Sequence, residues 1–106
     1  MTNELQEVGS KLPEILASYK TVVVDFWAEW CIPCKAVEDI LVSIKKRFSN
    51  VYICKLNVDE NPDIAAKYSV LNLPTVIIFH EKKEAYRFTG APTGLYRKII
   101  QILSNY

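Results

Sequence analysis

The run Thr21-Val-Val-Val-Asp-Phe-Trp27 constrains the fold more than any other stretch of the chain. Its residues are β-branched or aromatic, and apolar side chains fall on both alternating faces, so a strand formed here must be covered on each side. Directly beyond it, Val37, Ile40, Leu41, Ile44 and Phe48 repeat at helical spacing between Pro33 and Phe48, and Ser49-Asn50 ends the run. A doubly covered strand that feeds a long amphipathic helix belongs in an α/β sandwich, with helices on both faces of a central sheet.

The other segments extend this pattern. Leu5, Val8, Leu12, Ile15, Leu16 and Tyr19 lie on one helical stripe and predict helix over much of 3–19. Gly9 and Pro13 interrupt it, so two short helices fit as well as one, with Ser10 as the cap of the second and Pro13 in its first turn. Val51 to Asn57 reads as a second interior strand, and Asn61 and Pro62 open a short helix over 62–68 as N-cap and first helical residue. Thr75 to Phe79 is a further strand. Glu84 to Thr89 alternates as its half-exposed antiparallel partner, joined through His80-Glu-Lys-Lys, a hairpin without the Gly or Asn usual in tight turns. After Gly90, Thr93 is placed to cap a last helix carrying Leu95, Ile99, Ile100, Ile102 and Leu103. The order α-β-α-β-α-β-β-α gives a mixed sheet of about four strands, parallel strands first and an antiparallel hairpin last.

At 106 residues the chain is expected to form a single domain, 1–106, which at this size buries roughly two thirds of its unfolded surface. Thirteen Lys and Arg against 12 Asp and Glu leave a net charge of +1 without a basic cluster, so nucleic acid is not an expected partner. The longest mainly apolar stretches, Thr21-Ala28 and Leu73-Phe79, fall short of the roughly 18 residues that a membrane span needs. The residues from Met1 onward carry no basic region leading into an apolar one, and the expected location is the cytoplasm.

The chemistry concentrates in Trp27-Ala-Glu-Trp-Cys-Ile-Pro-Cys-Lys35, at the junction of the first strand and the long helix. Residues i and i+3 of a helical turn have Cα atoms about 5 Å apart, inside the window of roughly 4.4 to 6.8 Å that a disulfide requires. Cys31 and Cys34 can therefore open and close a bond with little backbone motion. The unpaired N–H groups and positive dipole end of a helix N-terminus favour a thiolate. Cys31, on the N-terminal and more exposed side, is the expected nucleophile. Cys34, one turn inside, is the expected resolving thiol, since its attack on a mixed disulfide at Cys31 is intramolecular. Pro33 removes an N–H that the first turn would leave unpaired and stiffens the loop.

The same pair is also half of a zinc site, which Cys54 and His80 would complete as Cys3His. Closed zinc sites normally use two such knuckles and the sequence has one. Cys54 lies mid-strand, where a buried inert thiol fits, and His80 ends a strand, where a solvated imidazole fits. No metal or organic cofactor is expected. Asp25 is unusual, because Asp is depleted in strands and this one stands among Val22-Val-Val and Phe26-Trp27. Burial would raise its pKa and fit it to exchange a proton with Cys34, directly or through water. A capped or edge-facing Asp without chemistry is the alternative. Lys55 of the next strand would offset the buried charge or else stand in solvent. Pro74 opens a strand, where its missing donor is tolerated.

Trp30-Cys-Ile-Pro-Cys-Lys35, preceded by Val24-Asp-Phe-Trp-Ala-Glu and followed by Lys55-Leu-Asn-Val-Asp and then Leu73-Pro-Thr, resembles the thioredoxin family at each landmark and in order, roughly from residue 21 to the end. The resemblance implies a thioredoxin fold and reduction of protein disulfides through a reversible Cys31–Cys34 dithiol. By it, Cys31 attacks, Cys34 resolves, Asp25 is the buried proton-transfer acid and Lys55 tunes it. Pro74 becomes a cis-proline beside the cysteines, and Leu73 offers backbone hydrogen bonds to an extended substrate. The implied substrate surface also includes Trp30, Ile32, Pro33, Thr75 and Gly90. Implied partners are disulfide-containing proteins and a thioredoxin reductase or equivalent electron donor, with the chain a monomer. A thioredoxin-like oxidant or isomerase, and a binding subunit of the same fold in which redox is incidental, are the competing readings.

Four departures from the family pattern stand out. Ile32 replaces the usual Gly between the first cysteine and the proline, adding a stiff apolar knob near the substrate surface. Asp39 replaces a proline that kinks the long helix, which predicts a straighter helix. Leu71-Asn-Leu precedes Pro74 in place of a Gly-containing turn. No N-terminal strand is evident, hence the expectation of four strands.

Overall fold

The computed structural model describes residues 5–106. They form a five-stranded mixed sheet with helices on both faces, so the α/β class is as expected. The strands are β1 (Gln6–Glu7), β2 (Thr21–Trp27), β3 (Tyr52–Asn57), β4 (Thr75–His80) and β5 (Lys83–Thr89), in the order β1-β3-β2-β4-β5. The helices are α1 (Leu12–Ser18), α2 (Ile32–Lys45), α3 (Pro62–Lys67) and α4 (Leu95–Leu103). β1, β3 and β2 run parallel, and β4 and β5 pair antiparallel.

β2 is central, and its alternation explains the two cores. Val23 packs with Val37, Leu41, Ile44, Ile53, Val76, Ile78, Leu95, Ile99 and Leu103 on the α2/α4 face. Val22, Val24 and Phe26 pack with Leu12, Leu16, Cys54, Leu56, Ile77 and Phe79 on the α1 side. Phe26, Phe79 and Leu41 are almost wholly excluded from solvent, each such side chain contributing about 1.5 to 3 kcal/mol of transfer free energy.

The N-terminal segment is not the helix expected over much of 3–19. Residues 3 and 4 lie outside the described residues, and beyond them the chain forms β1 and a 3-10 turn (Gly9–Lys11) before α1 begins. The sheet thus has five strands, not four. Leu5 belongs to the α2/α4 core and Val8 to the opposite one, as an odd spacing requires in an extended chain. Their offset of three imitates a helical stripe in the sequence. Lys11, not Ser10, stands at the N-cap of α1, and Pro13 lies in its first turn.

Smaller differences have local causes. α2 runs unbroken through Asp39 and ends at Lys45, short of Phe48. Asn61 is at the N-cap of α3, but its side chain donates from Nδ2 to the Asn57 carbonyl at 3.0 Å and makes no cap bond. Gly94, with φ 78°, takes the N-cap position of α4 in place of Thr93. The β4–β5 turn places Glu81 and Lys82 at φ 52° and 71°, so two side-chain-bearing residues adopt the left-handed conformation that a tight hairpin demands.

Candidate active site

A short connection, 28–31, joins β2 to α2 and delivers Cys31 to the helix N-cap with extended backbone, φ −89° and ψ 102°. Pro33 falls in the first turn, where it breaks no hydrogen bond. Cys34 follows one turn in and is disulfide-bonded to Cys31, with Cα atoms 5.4 Å apart. Cys31 is 7% exposed and Cys34 3%, the expected order. Opening the bond leaves a sulfur at the positive end of the α2 dipole, where a thiolate is favoured and nucleophilic.

Leu73 packs against Ala28, Cys31 and Cys34, bringing the loop before β4 to the cysteines. The Leu73–Pro74 peptide is cis, as the family resemblance implied. Among the described residues neither the N–H nor the C=O of Leu73 takes part in a backbone hydrogen bond, whereas the Pro74 carbonyl accepts the Gly90 amide at 2.7 Å. Gly90 has φ 77°, a conformation that costs side-chain-bearing residues energy. Thr75 is buried and its hydroxyl donates to the Asn72 carbonyl. Trp30 and Ile32 stand 67% and 87% exposed, with Pro33 exposed between the cysteines. The Trp30 indole donates from Nε1 to Asp59 Oδ2 at 2.8 Å. Asp59 had no signal in the sequence, while Leu71, in the departing turn before Pro74, is 86% exposed.

Asp25 is fully buried, and among the described residues neither carboxyl oxygen has a hydrogen-bond partner. Its pKa rises from 3.8 to about 7, chiefly through desolvation and then the Glu38 charge, with Lys55 opposing and Glu7 adding a little. Buried on the central strand β2 and without a hydrogen-bond partner among the described residues, Asp25 is neither capped nor edge-facing. Lys55 is neither solvated nor bonded to Asp25: its Nζ lies 3.1 Å from Glu38 Oε2 and 4.7 Å from the centroid of the Trp27 ring. It still lowers the Asp25 pKa, the direction expected of it.

Glu38 and Glu7 were missed in the sequence. Glu38 follows Cys34 by four residues and so shares its helix face, a legible signal. Glu7 had none, because it comes from β1. Its Oε1 accepts the Trp27 indole N–H at 2.9 Å and its Oε2 the Asn57 amide at 2.8 Å.

The sheet register keeps the zinc alternative's donors apart. Cys54 pairs with Val24 at the middle of β2 and His80 with Thr21 at its start, while Cys31 and Cys34 lie beyond its end. Cys54 is wholly buried, and desolvation pushes its thiol pKa well up, as for an inert core residue. His80 is not simply solvated: Nδ1 lies 3.0 Å from Thr21 Oγ1, and the ring stacks on Tyr106 with centroids 3.9 Å apart.

Comparison with known proteins agrees with this geometry. The thioredoxin family profile matches residues 6–103. A thioredoxin of Mycoplasma pneumoniae is 38% identical over 104 residues, covering 98% of this chain and 99% of its own, and one of Mycoplasma genitalium is 38% identical over 108 residues, covering 99% and 100%. A solved thioredoxin of Halobacterium salinarum superposes with a TM-score of 0.87 at 24% identity, over 98% of this chain and 91% of that one, a likeness of fold.

Proposed function

The chain belongs to the thioredoxin family and is a thiol-disulfide oxidoreductase that reduces protein disulfides, and from that premise we propose roles for its site residues. The supporting observation is the Cys31–Cys34 pair, bonded across the first turn of α2 with Cys31 at the N-cap. The Cys31 thiolate attacks one sulfur of a substrate disulfide, which forms a mixed disulfide and releases the first substrate thiolate. Cys34 gives its proton to the Asp25 carboxylate. The Cys34 thiolate then attacks Cys31 Sγ, closes the intramolecular disulfide and expels the second substrate thiolate. Two electrons pass to the substrate, and a reductase returns them to the pair.

Leu73 presents its free N–H and C=O to an extended substrate segment, as a strand edge would. Trp30, Ile32, Pro33, Pro74, Thr75 and Gly90 shape the surface around it, with Ile32 as the chain's own apolar addition. An Asp25 pKa of about 7 lets the carboxyl both take and hold a proton near neutrality, and Lys55 tunes it. A reductant that must be recharged works where thiols are kept reduced, so we assign it to the cytoplasm, as a monomer of one domain.

Trapping tests the two cysteine roles. Cys34→Ser, mixed with a small disulfide-bonded protein, should accumulate a covalent adduct through Cys31 that mass spectrometry reads, while Cys31→Ser should form almost none. Equal adduct through Cys34 in the Cys31→Ser variant would reverse the assignment.

A further inference from the structure

We propose that Glu38 is a positioning residue for proton transfer, holding the Lys55 ammonium against α2 so that the buried Asp25 carboxyl keeps no counter-ion beside it. The proposal rests on the role given to Asp25 above. Asp25 and Lys55 are partners in the β2–β3 register and project to the same face of the sheet, so the carboxylate is the natural destination of that ammonium. The ammonium goes elsewhere. Nζ lies 3.1 Å from Glu38 Oε2, with the two side chains only 13% and 15% exposed, and 4.7 Å from the Trp27 ring centroid. Glu7 fixes that ring in turn, through its bond to the Trp27 indole, and is itself anchored by the Asn57 amide. A partly buried pair of this kind is screened less than a surface pair.

The charged groups facing Asp25 are Glu38 from α2, Lys55 from β3 and Glu7 from β1; its β4 neighbour, Val76, is apolar. Cys54 of β3 lies in the opposite core, and Cys34 of α2 is the proton donor. Removing the Glu38 charge acts twice in one direction. It takes a negative charge from beside Asp25, and it frees Lys55 to turn toward the carboxylate. Both favour ionised Asp25, so a Glu38→Gln variant carries a competent proton acceptor to lower pH than the parent does.

The test is an NMR titration of the 13C-labelled Asp25 carboxyl in the oxidised protein, where Cys31 and Cys34 do not titrate. Glu38→Gln should lower the Asp25 midpoint by about one pH unit. In a Lys55→Gln background the same change should lower it by less, because no ammonium remains to be released. An unmoved midpoint in Glu38→Gln, or an equal shift with and without Lys55, would overturn the proposal. The Asp25 reading fails separately: Asp25→Asn leaving resolution of the mixed disulfide unchanged near neutral pH would remove the relay, while the titration would still report whether Glu38 governs that carboxyl.

Discussion

Asp25 and Lys55 are register partners across β2 and β3, yet the Lys55 ammonium pairs with Glu38 at 3.1 Å and leaves the Asp25 carboxyl without a hydrogen-bond partner among the described residues. A carboxyl so placed binds its proton more tightly folded than unfolded, with a pKa of about 7 against 3.8. Between those values the folded chain holds a proton that the unfolded chain does not. Stability therefore falls as pH rises from about 4 to about 7 and stays low above that. Asp25→Asn keeps the shape and removes the charge. It should stabilise the oxidised protein at pH 8 by up to about 4 kcal/mol relative to its effect at pH 4. Urea denaturation at the two pH values measures this, and a stability change independent of pH would contradict it.

The hairpin at Glu81-Lys82 carries removable strain. Both residues have positive φ, where a side chain costs on the order of 1 kcal/mol and glycine almost none. Lys82→Gly should raise stability by about 1 kcal/mol in denaturant titration. Disulfide-reducing activity should stay at the parent level, because the turn follows His80, at the opposite end of β4 from the Leu73 loop that packs on the cysteines. A loss of stability would mean that the Lys82 side chain contributes more than its backbone costs.

The sequence was most legible where one segment determines its own neighbourhood. β2 is apolar on both faces and α2 has a regular stripe, so their junction, and with it Cys31 and Cys34, followed from local pattern alone. Asp25 announced itself as a charge in an apolar strand. β1 did not, since its two residues are exposed and its ladder with β3 is long-range, while Leu5 and Val8 mimic a helical offset from opposite cores. The partner of Lys55 was equally hidden. Strand order suggests Asp25, and only the packing of α2 over the sheet brings Glu38 within reach. At α4, Thr93 had the right chemistry for a cap, but the left-handed Gly94 sets the helix entry.

The reduction potential of the Cys31–Cys34 pair tests the central claim most directly, because reductant and oxidant readings share every other feature of the site. Thiol trapping and mass spectrometry across a dithiothreitol or glutathione gradient would give it. A protein-disulfide reductase predicts a value around −270 mV; one between about −180 and −120 mV would contradict that and mark Cys31–Cys34 as the centre of an isomerase or oxidant.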